Sequence, residues 1–98
     1  MIKVTHIIHD FNFGGISSVL YNLVSLQIEN ALIEPQILVL KDNGDLKSDF
    51  NSLGIKIISL NMKHTYFFKY KNIKEILESF KTSDLIHFHN FHPYLCFL

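Results

Sequence analysis

Short β-branched, apolar runs alternate along this chain with segments whose apolar residues recur at helical spacing, and this alternation restricts the possible folds most strongly. Residues 2–8 (IKVTHII) are apolar on both faces, as expected for a strand buried in a parallel sheet. Further strands are predicted at residues 35–40, 55–60 and 84–89. Each strand is separated from the next by a segment long enough to hold a crossover helix.

Three helices are predicted between these strands. The first covers residue 16 to about residue 30, and the second, shorter one covers residues 45–53, with Gly54 suited to its C-terminal cap. The third is indicated by an apolar stripe at helical spacing between residues 73 and 80. The apolar positions of the three helices are Ile16, Val19, Leu20, Leu23, Val24 and Ile28; Leu46, Phe50 and Leu53; and Ile73, Ile76, Leu77 and Phe80.

The order of elements predicts an α/β fold, a Rossmann-like, doubly wound parallel sheet of about four strands in the order 3-2-1-4. The first and fourth strands are then neighbours at a switch point, where ligands bind beyond the carboxyl ends of the strands. Residues 1–98 are expected to form one domain, truncated after the fourth strand, because four strands leave an edge and an apolar flank exposed.

Composition excludes several classes of function. Nine lysines balance nine acidic residues and arginine is absent, so no nucleic-acid partner is expected. A single cysteine, Cys96, allows no disulfide within the chain, which suits a reducing cytoplasm. The start lacks the features of a signal peptide, and no segment reaches the roughly 18 apolar residues of a membrane span. The sequence therefore predicts a cytoplasmic protein.

Adjacent glycines, Gly14 and Gly15, lie in the loop between the first strand and the first helix. Glycines there let the backbone approach a ligand, and the helix N-terminus behind them favours an anion such as a diphosphate. The alternative interpretation is a tight turn without a ligand. Both the dinucleotide fingerprint G-x-G-x-x-G and the P-loop lysine–serine pair are absent, which argues against nicotinamide and P-loop sites.

Histidines cluster at the predicted switch point. His9 ends the first strand and is followed by Asp10, while His87 and His89 share one face of the fourth strand and precede Asn90. A histidine at this edge can act as a general base or orient a substrate hydroxyl. The alternative is that these are polar strand-end residues whose hydrogen bonds are satisfied by nearby backbone.

A metal site is not expected from the sequence. His6 and His9 are three apart on a strand and point to opposite faces, and no structural-zinc spacing occurs. A separate stretch, residues 63–74, combines lysines with Tyr66, Phe67 and Phe68. This composition suits peripheral contact with anionic lipid at the inner face of the membrane, or contact with a lipid-linked substrate. The alternative is that these rings pack under the loop.

Three segments together resemble a known family. IIHDFNFGGISSVLYNL, LVLKDNGDLKSDFNSLGIKIISLNM and DLIHFHN are similar, in order and spacing, to the amino-terminal domain of family 4 glycosyltransferases. These are retaining enzymes of the GT-B architecture, in which two Rossmann-like domains face each other across a cleft. The resemblance covers essentially the whole chain.

The resemblance implies transfer of a sugar from a nucleotide-sugar donor to a polysaccharide or lipid-linked glycan acceptor, without a cofactor. Gly14 and Gly15 match the glycine pair near the donor diphosphate, and His89 matches the candidate catalytic histidine near the reacting sugar. His9, Asp10, His87 and Asn90 are then candidate cleft or acceptor contacts. Because the donor-binding domain is missing from these 98 residues, the chain alone is expected to be inactive.

Two other functions fit the same pattern. One is a non-catalytic binding module or partner subunit that contributes half a cleft to another chain. The other is a different GT-B enzyme, such as a sugar-nucleotide epimerase.

Overall fold

A computed structural model describes residues 1–60 and 70–89, with side chains of residues 70–72 excepted. Strands and helices alternate along the chain, as the apolar pattern predicts. The elements are β1 (Ile2–Ile8), α1 (Gly15–Glu29), β2 (Ile33–Val39), α2 (Lys47–Asn51), β3 (Lys56–Ser59), α3 (Tyr70–Thr82) and β4 (Leu85–Phe88).

The four strands form one parallel sheet in the order β3-β2-β1-β4, so the expected α/β class and strand order are confirmed. Strand β1 pairs along its whole length with β2, from Ile2 opposite Ile33 to Ile8 opposite Val39. On its other side β1 pairs with β4, and there His6 lies opposite His87. The carboxyl ends of β1 and β4 therefore lie at the same edge of the sheet.

Neighbouring residues of β1 point to opposite faces and enter different cores. Ile8 contributes to the core beneath α1 and α2, where Leu20, Val24 and Phe50 are fully buried. Ile7 contributes to the core beneath α3. The buried members of that second core are Ile7, Leu38, Leu40, Leu60 and Ile76. Burial of β1 and β2 on both faces explains why their sequences are apolar runs rather than alternating patterns.

Strand β2 and helix α2 differ most instructively from the sequence prediction, while the other predicted limits differ by at most a few residues. Strand β2 begins at Ile33 rather than at Pro35, because pairing with β1 starts at Ile33 while pairing with β3 starts only at Gln36. Pro35 thus lies where β2 has no partner on the β3 side, a position that tolerates a missing N–H. Helix α2 is shorter than expected, but Gly54 has the left-handed φ of +73° that its capping role predicts.

None of the helices in the described ranges is both long and apolar enough to cross a bilayer. The aromatic residues Tyr66, Phe67 and Phe68 lie outside the described residues, so the expected membrane contact stays a prediction.

Candidate functional site

The turn from β1 into α1, residues 9–15, forms what we call the glycine loop. Gly14 is the N-cap of α1, and no side chain caps the helix. The first hydrogen bond of the helix runs from the Ser18 N–H to the Gly14 carbonyl at 3.0 Å. The N–H groups of residues 15–17 therefore have no acceptor within the helix, as in any first turn. These N–H groups lie at the N-terminus of α1, which follows the carboxyl end of β1. The positive end of the helix dipole is at the same place.

Neither glycine of the pair is required by backbone strain or by packing. Gly14 has a φ of 166°, which is extended backbone that any residue can adopt. The glycines with a positive φ that favours glycine are Gly44 and Gly54. A Cβ atom added to Gly14 or Gly15 would meet nothing within 4 Å. The pair therefore leaves open space beside the first turn of α1. That space belongs to a pocket of about 330 Å³ lined by Ile8, His9, Asp10, Asn12, Phe13, Gly14, Gly15, Ile16 and Ser17, which we call the glycine pocket.

Backbone hydrogen bonds join the glycine loop to the loop that follows β2. The Lys41 N–H donates to the His9 carbonyl at 2.8 Å. Phe11 takes part twice, donating to the Asn43 carbonyl at 2.8 Å and accepting from the Leu46 N–H at 2.9 Å. Its buried ring also stacks on Phe50, with ring centroids 4.7 Å apart. The wall of the glycine pocket is thus anchored by α2 and the loop before it.

At the start of the glycine loop, the His9 Nδ1 lies 2.8 Å from Asp10 Oδ2. The other Asp10 oxygen accepts the Asn12 N–H at 3.0 Å. Burial acts to raise the pKa of the Asp10 carboxyl, but the hydrogen bonds from Asn12 and His9 outweigh it and hold the pKa below its usual value of 3.8. Asp10 is therefore an ionised acceptor that fixes the orientation of the His9 ring.

Three other histidines, His6, His87 and His89, gather on the α1 face of the sheet and are called the histidine cluster here. The His6 Nδ1 lies 2.9 Å from the His89 Nε2, and the His6 Nε2 lies 2.7 Å from the Gln27 side-chain oxygen. The rings of His87 and His89 stack with centroids 4.0 Å apart. His6 is fully buried, whereas His87 is exposed.

Burial is the main reason why His6 and His89 resist protonation. Burial, together with charge repulsion from His87 and His6, lowers the pKa of His89 from 6.5 to about 4. Burial also lowers the pKa of His6, although the hydrogen bond to Gln27 acts in the opposite direction. Both rings are therefore neutral near pH 7.

The candidate residues from the sequence fall into two groups in the structure. Gly14, Gly15, His9 and Asp10 line the glycine pocket together. His87 and His89 instead belong to the histidine cluster, where His89 contacts His6. Asn90 lies outside the described residues. Roles for His89 near a sugar and for Asn90 in a cleft stay predictions.

His6 is the functional candidate that sequence reasoning missed. Considered only beside His9, it has no partner on its own face of β1. The signal lies in the strand order, because a parallel β1–β4 pair places His6 on the same face as the two histidines of HFH. Finding it requires the register between the strands, since an offset of one residue would send the imidazoles to opposite faces.

Comparison of the chain with models of protein families, with curated proteins and with solved structures finds no match.

Proposed function

We propose that this chain is the acceptor-side half of a glycosyltransferase of the GT-B type, which transfers a sugar from a nucleotide diphosphate to a glycan or lipid-linked acceptor. The observation that carries the proposal is the glycine pair, which opens space at an uncapped helix N-terminus although neither φ nor packing requires glycine. The position of this loop at the carboxyl edge of a 3-2-1-4 parallel sheet is where such folds bind nucleotides.

The chemistry of the pocket suits a diphosphate. Arginine is absent from the chain, so phosphate oxygens here must be held by backbone N–H groups or by lysine. The first-turn N–H groups of α1 supply donors, and the helix dipole favours the negative charge. In sugar transfer the bond from the anomeric carbon to the diphosphate oxygen breaks, so this end of the helix stabilises the charge that develops on the leaving group.

His9 and Asp10 are the acceptor-side candidates in the same pocket. Because the Asp10 carboxylate accepts from His9 Nδ1 at 2.8 Å, the imidazole is held in one tautomer and one orientation. We assign His9 the role of orienting the acceptor hydroxyl that attacks the anomeric carbon. Asp10 then acts as a positioning residue through His9.

The proposal is tested first on the chain itself. The ¹⁵N-labelled protein is titrated with uridine diphosphate and with inorganic pyrophosphate, and we expect saturable amide shifts at residues 14–17. Gly15→Asp places a carboxylate in the open space and is expected to weaken binding at least about tenfold through charge repulsion. Ser48→Asp adds the same charge at an exposed position of α2 and is expected to bind as the wild type does.

The same pair of variants tests transfer in an enzyme that joins this chain to a donor-binding domain. There we expect Gly15→Asp to abolish sugar transfer and Ser48→Asp to retain it. Wild-type binding or transfer by Gly15→Asp would remove the diphosphate assignment. Release of an epimerised nucleotide sugar, with no glycosylated acceptor, would select the epimerase instead.

A further inference from the structure

The histidine cluster brings together three imidazoles, from His6 of β1, His87 of β4 and His89, which directly follows β4. His6 lies opposite His87 in the parallel β1–β4 register, and His89 lies two residues further along on the same face. One ring nitrogen from each residue lies within 4.8 Å of the others. No carboxylate or thiol of the described residues joins this group. The cluster therefore offers nitrogen ligands only.

Gln27 of α1 determines which nitrogen of His6 is available. Its side-chain oxygen lies 2.7 Å from the His6 Nε2, and because an amide oxygen only accepts, the Nε2 carries the proton. The Nδ1 then presents its lone pair to the His89 Nε2, which lies 2.9 Å away and donates its proton. An outer hydrogen bond of this kind, from the second ring nitrogen, is the usual support of a metal-binding histidine.

We propose that His6, His87 and His89 form a site for a divalent transition-metal ion, with Zn²⁺ as the ion of best fit. Three imidazoles with an open fourth position match Zn²⁺, whereas Mg²⁺ and Ca²⁺ require oxygen ligands. On binding, His89 takes the tautomer protonated at Nδ1, and the ion replaces the proton between His89 and His6. This assignment departs from the expectation of no metal, which considered His6 only with His9.

The adjustment needed to bind the ion is small. Tetrahedral Zn²⁺ with bonds of about 2.0–2.1 Å separates ligand nitrogens by about 3.4 Å. The His6 Nδ1 and the His89 Nε2 must therefore move apart from 2.9 Å, while the three ligand nitrogens, which already lie within 4.8 Å of one another, adjust to that separation. His87 is exposed and can turn about its side-chain torsions, while His6 is held in place by Gln27.

The histidine cluster is separate from the glycine pocket. None of the three residues lines the glycine pocket, so the metal site does not depend on the proposed transferase function.

Titration of the purified, metal-free chain with Co²⁺ tests the site, because tetrahedral Co²⁺ has a strong visible absorption band. We expect one equivalent to bind, with displacement by Zn²⁺, which lies above Co²⁺ in affinity for nitrogen ligands. His87→Ala removes an exposed ligand without disturbing the core and is expected to weaken binding at least about tenfold. His9→Ala removes an imidazole outside the cluster and is the matched control, with wild-type affinity expected.

A second variant tests the supporting hydrogen bond. Gln27→Leu leaves all three imidazoles but removes the acceptor for the His6 Nε2, and we expect about 10- to 100-fold weaker binding. Circular dichroism verifies that each variant remains folded. Absence of a saturable Co²⁺ band in the wild type, or equal affinity of His87→Ala, His89→Ala and wild type, would overturn the proposal and leave an imidazole hydrogen-bond network.

Discussion

Gly44 and Gly15 show that two glycines of one chain can be needed for different reasons. Gly44 has φ +129°, and a Cβ atom there would lie 2.2 Å from the Phe11 carbonyl carbon and 2.3 Å from the Asn12 nitrogen. Both neighbours are backbone atoms of the glycine loop, so they cannot turn away as a side chain does. Gly15 has no such neighbour within 4 Å. Gly44 therefore serves the fold, whereas Gly15 leaves room in the pocket.

This contrast predicts opposite effects of the same substitution on stability. We expect Gly44→Ala to lower the free energy of unfolding by about 2 kcal/mol or more, through positive φ and overpacking. Gly15→Ala is expected to be neutral or to stabilise by up to about 1 kcal/mol, because it restricts the unfolded chain at a helical position. Urea unfolding of both variants measures the difference. Equal stability of the two would contradict this account of Gly44.

Asp10 gives the molecule a pH dependence whose sign follows from its hydrogen bonds. Its folded pKa is lowered below the usual 3.8, so near and below that pH the unfolded chain binds more protons than the folded chain. The stabilisation by the carboxylate is therefore fully present above about pH 4 and is lost as pH falls through the folded pKa. Because Asp10 is partly exposed to solvent, its carboxylate stabilises the fold by about 1 kcal/mol or less.

Asp10→Asn isolates that contribution, because the amide oxygen can still accept the Asn12 N–H while the charge beside His9 is removed. We expect the wild type to exceed the variant in free energy of unfolding at pH 6, and the difference to shrink at pH 3. Denaturant unfolding of both proteins at each pH gives the two differences. A difference that stays constant from pH 6 to pH 3 would show that the charge of Asp10 does not stabilise the fold.

Helix α1 is apolar on two sides, although only one side faces the sheet. Leu20 and Val24 are buried in the core, whereas Ile16, Val19 and Leu26 form an outer stripe with 46%, 61% and 66% of their surface exposed. Their spacing of three and seven residues places them on one face of the helix. An apolar stripe of this kind in water promotes binding of hydrophobic dyes and self-association.

The two sides of α1 should therefore respond differently to charge. The double variant Val19→Lys and Leu26→Lys is expected to reduce dye binding and self-association, with a change in unfolding free energy of no more than about 1 kcal/mol. Leu20→Lys, which puts the same charge into the core, is expected to unfold the protein or destabilise it strongly. Dye fluorescence, light scattering and urea unfolding provide the readouts. Unchanged dye binding by the double variant would place the hydrophobic surface elsewhere.

An element is predicted correctly from the sequence when its limits are set by its own residues, and less well when they are set by pairing with a distant segment. Strand β1 was predicted with its observed limits, since burial on both faces makes its apolar run continuous. The start of β2 was misplaced because pairing with β1 extends it past Pro35 toward the N-terminus, and the local sequence does not encode that partner. The hydrogen bonds between Phe11 and the loop after β2 could not be predicted from the sequence either, because they join backbone atoms about 30 residues apart.

For the whole molecule, the strand order followed from alternation of strands and helices together with the general rules for parallel sheets. The sequence predicts that His9, Asp10, His89 and Asn90 gather at one edge of the sheet, with the glycine pair at the same rim. In the structure His9 and Asp10 line one pocket with the glycine pair, whereas His89 contacts His6 and Asn90 lies outside the described residues. The contacts of His6 with His87 of β4 and with His89, which directly follows β4, depend on both the strand order and the register. Properties that depend on the alignment of neighbouring strands are therefore not encoded in the residue periodicity of any single strand.

The hydrogen bonds between the glycine loop and the loop after β2 limit how the pocket can be transplanted. A graft of residues 9–15 into another parallel sheet would lose the hydrogen-bond partners of the His9 and Phe11 backbone. It would also lose Gly44, whose missing side chain lets the Phe11 backbone approach closely. Residues 41–46 must be moved with them as a second insert, at the spacing of two adjacent strands. The smallest portable unit of this pocket is consequently a pair of loops.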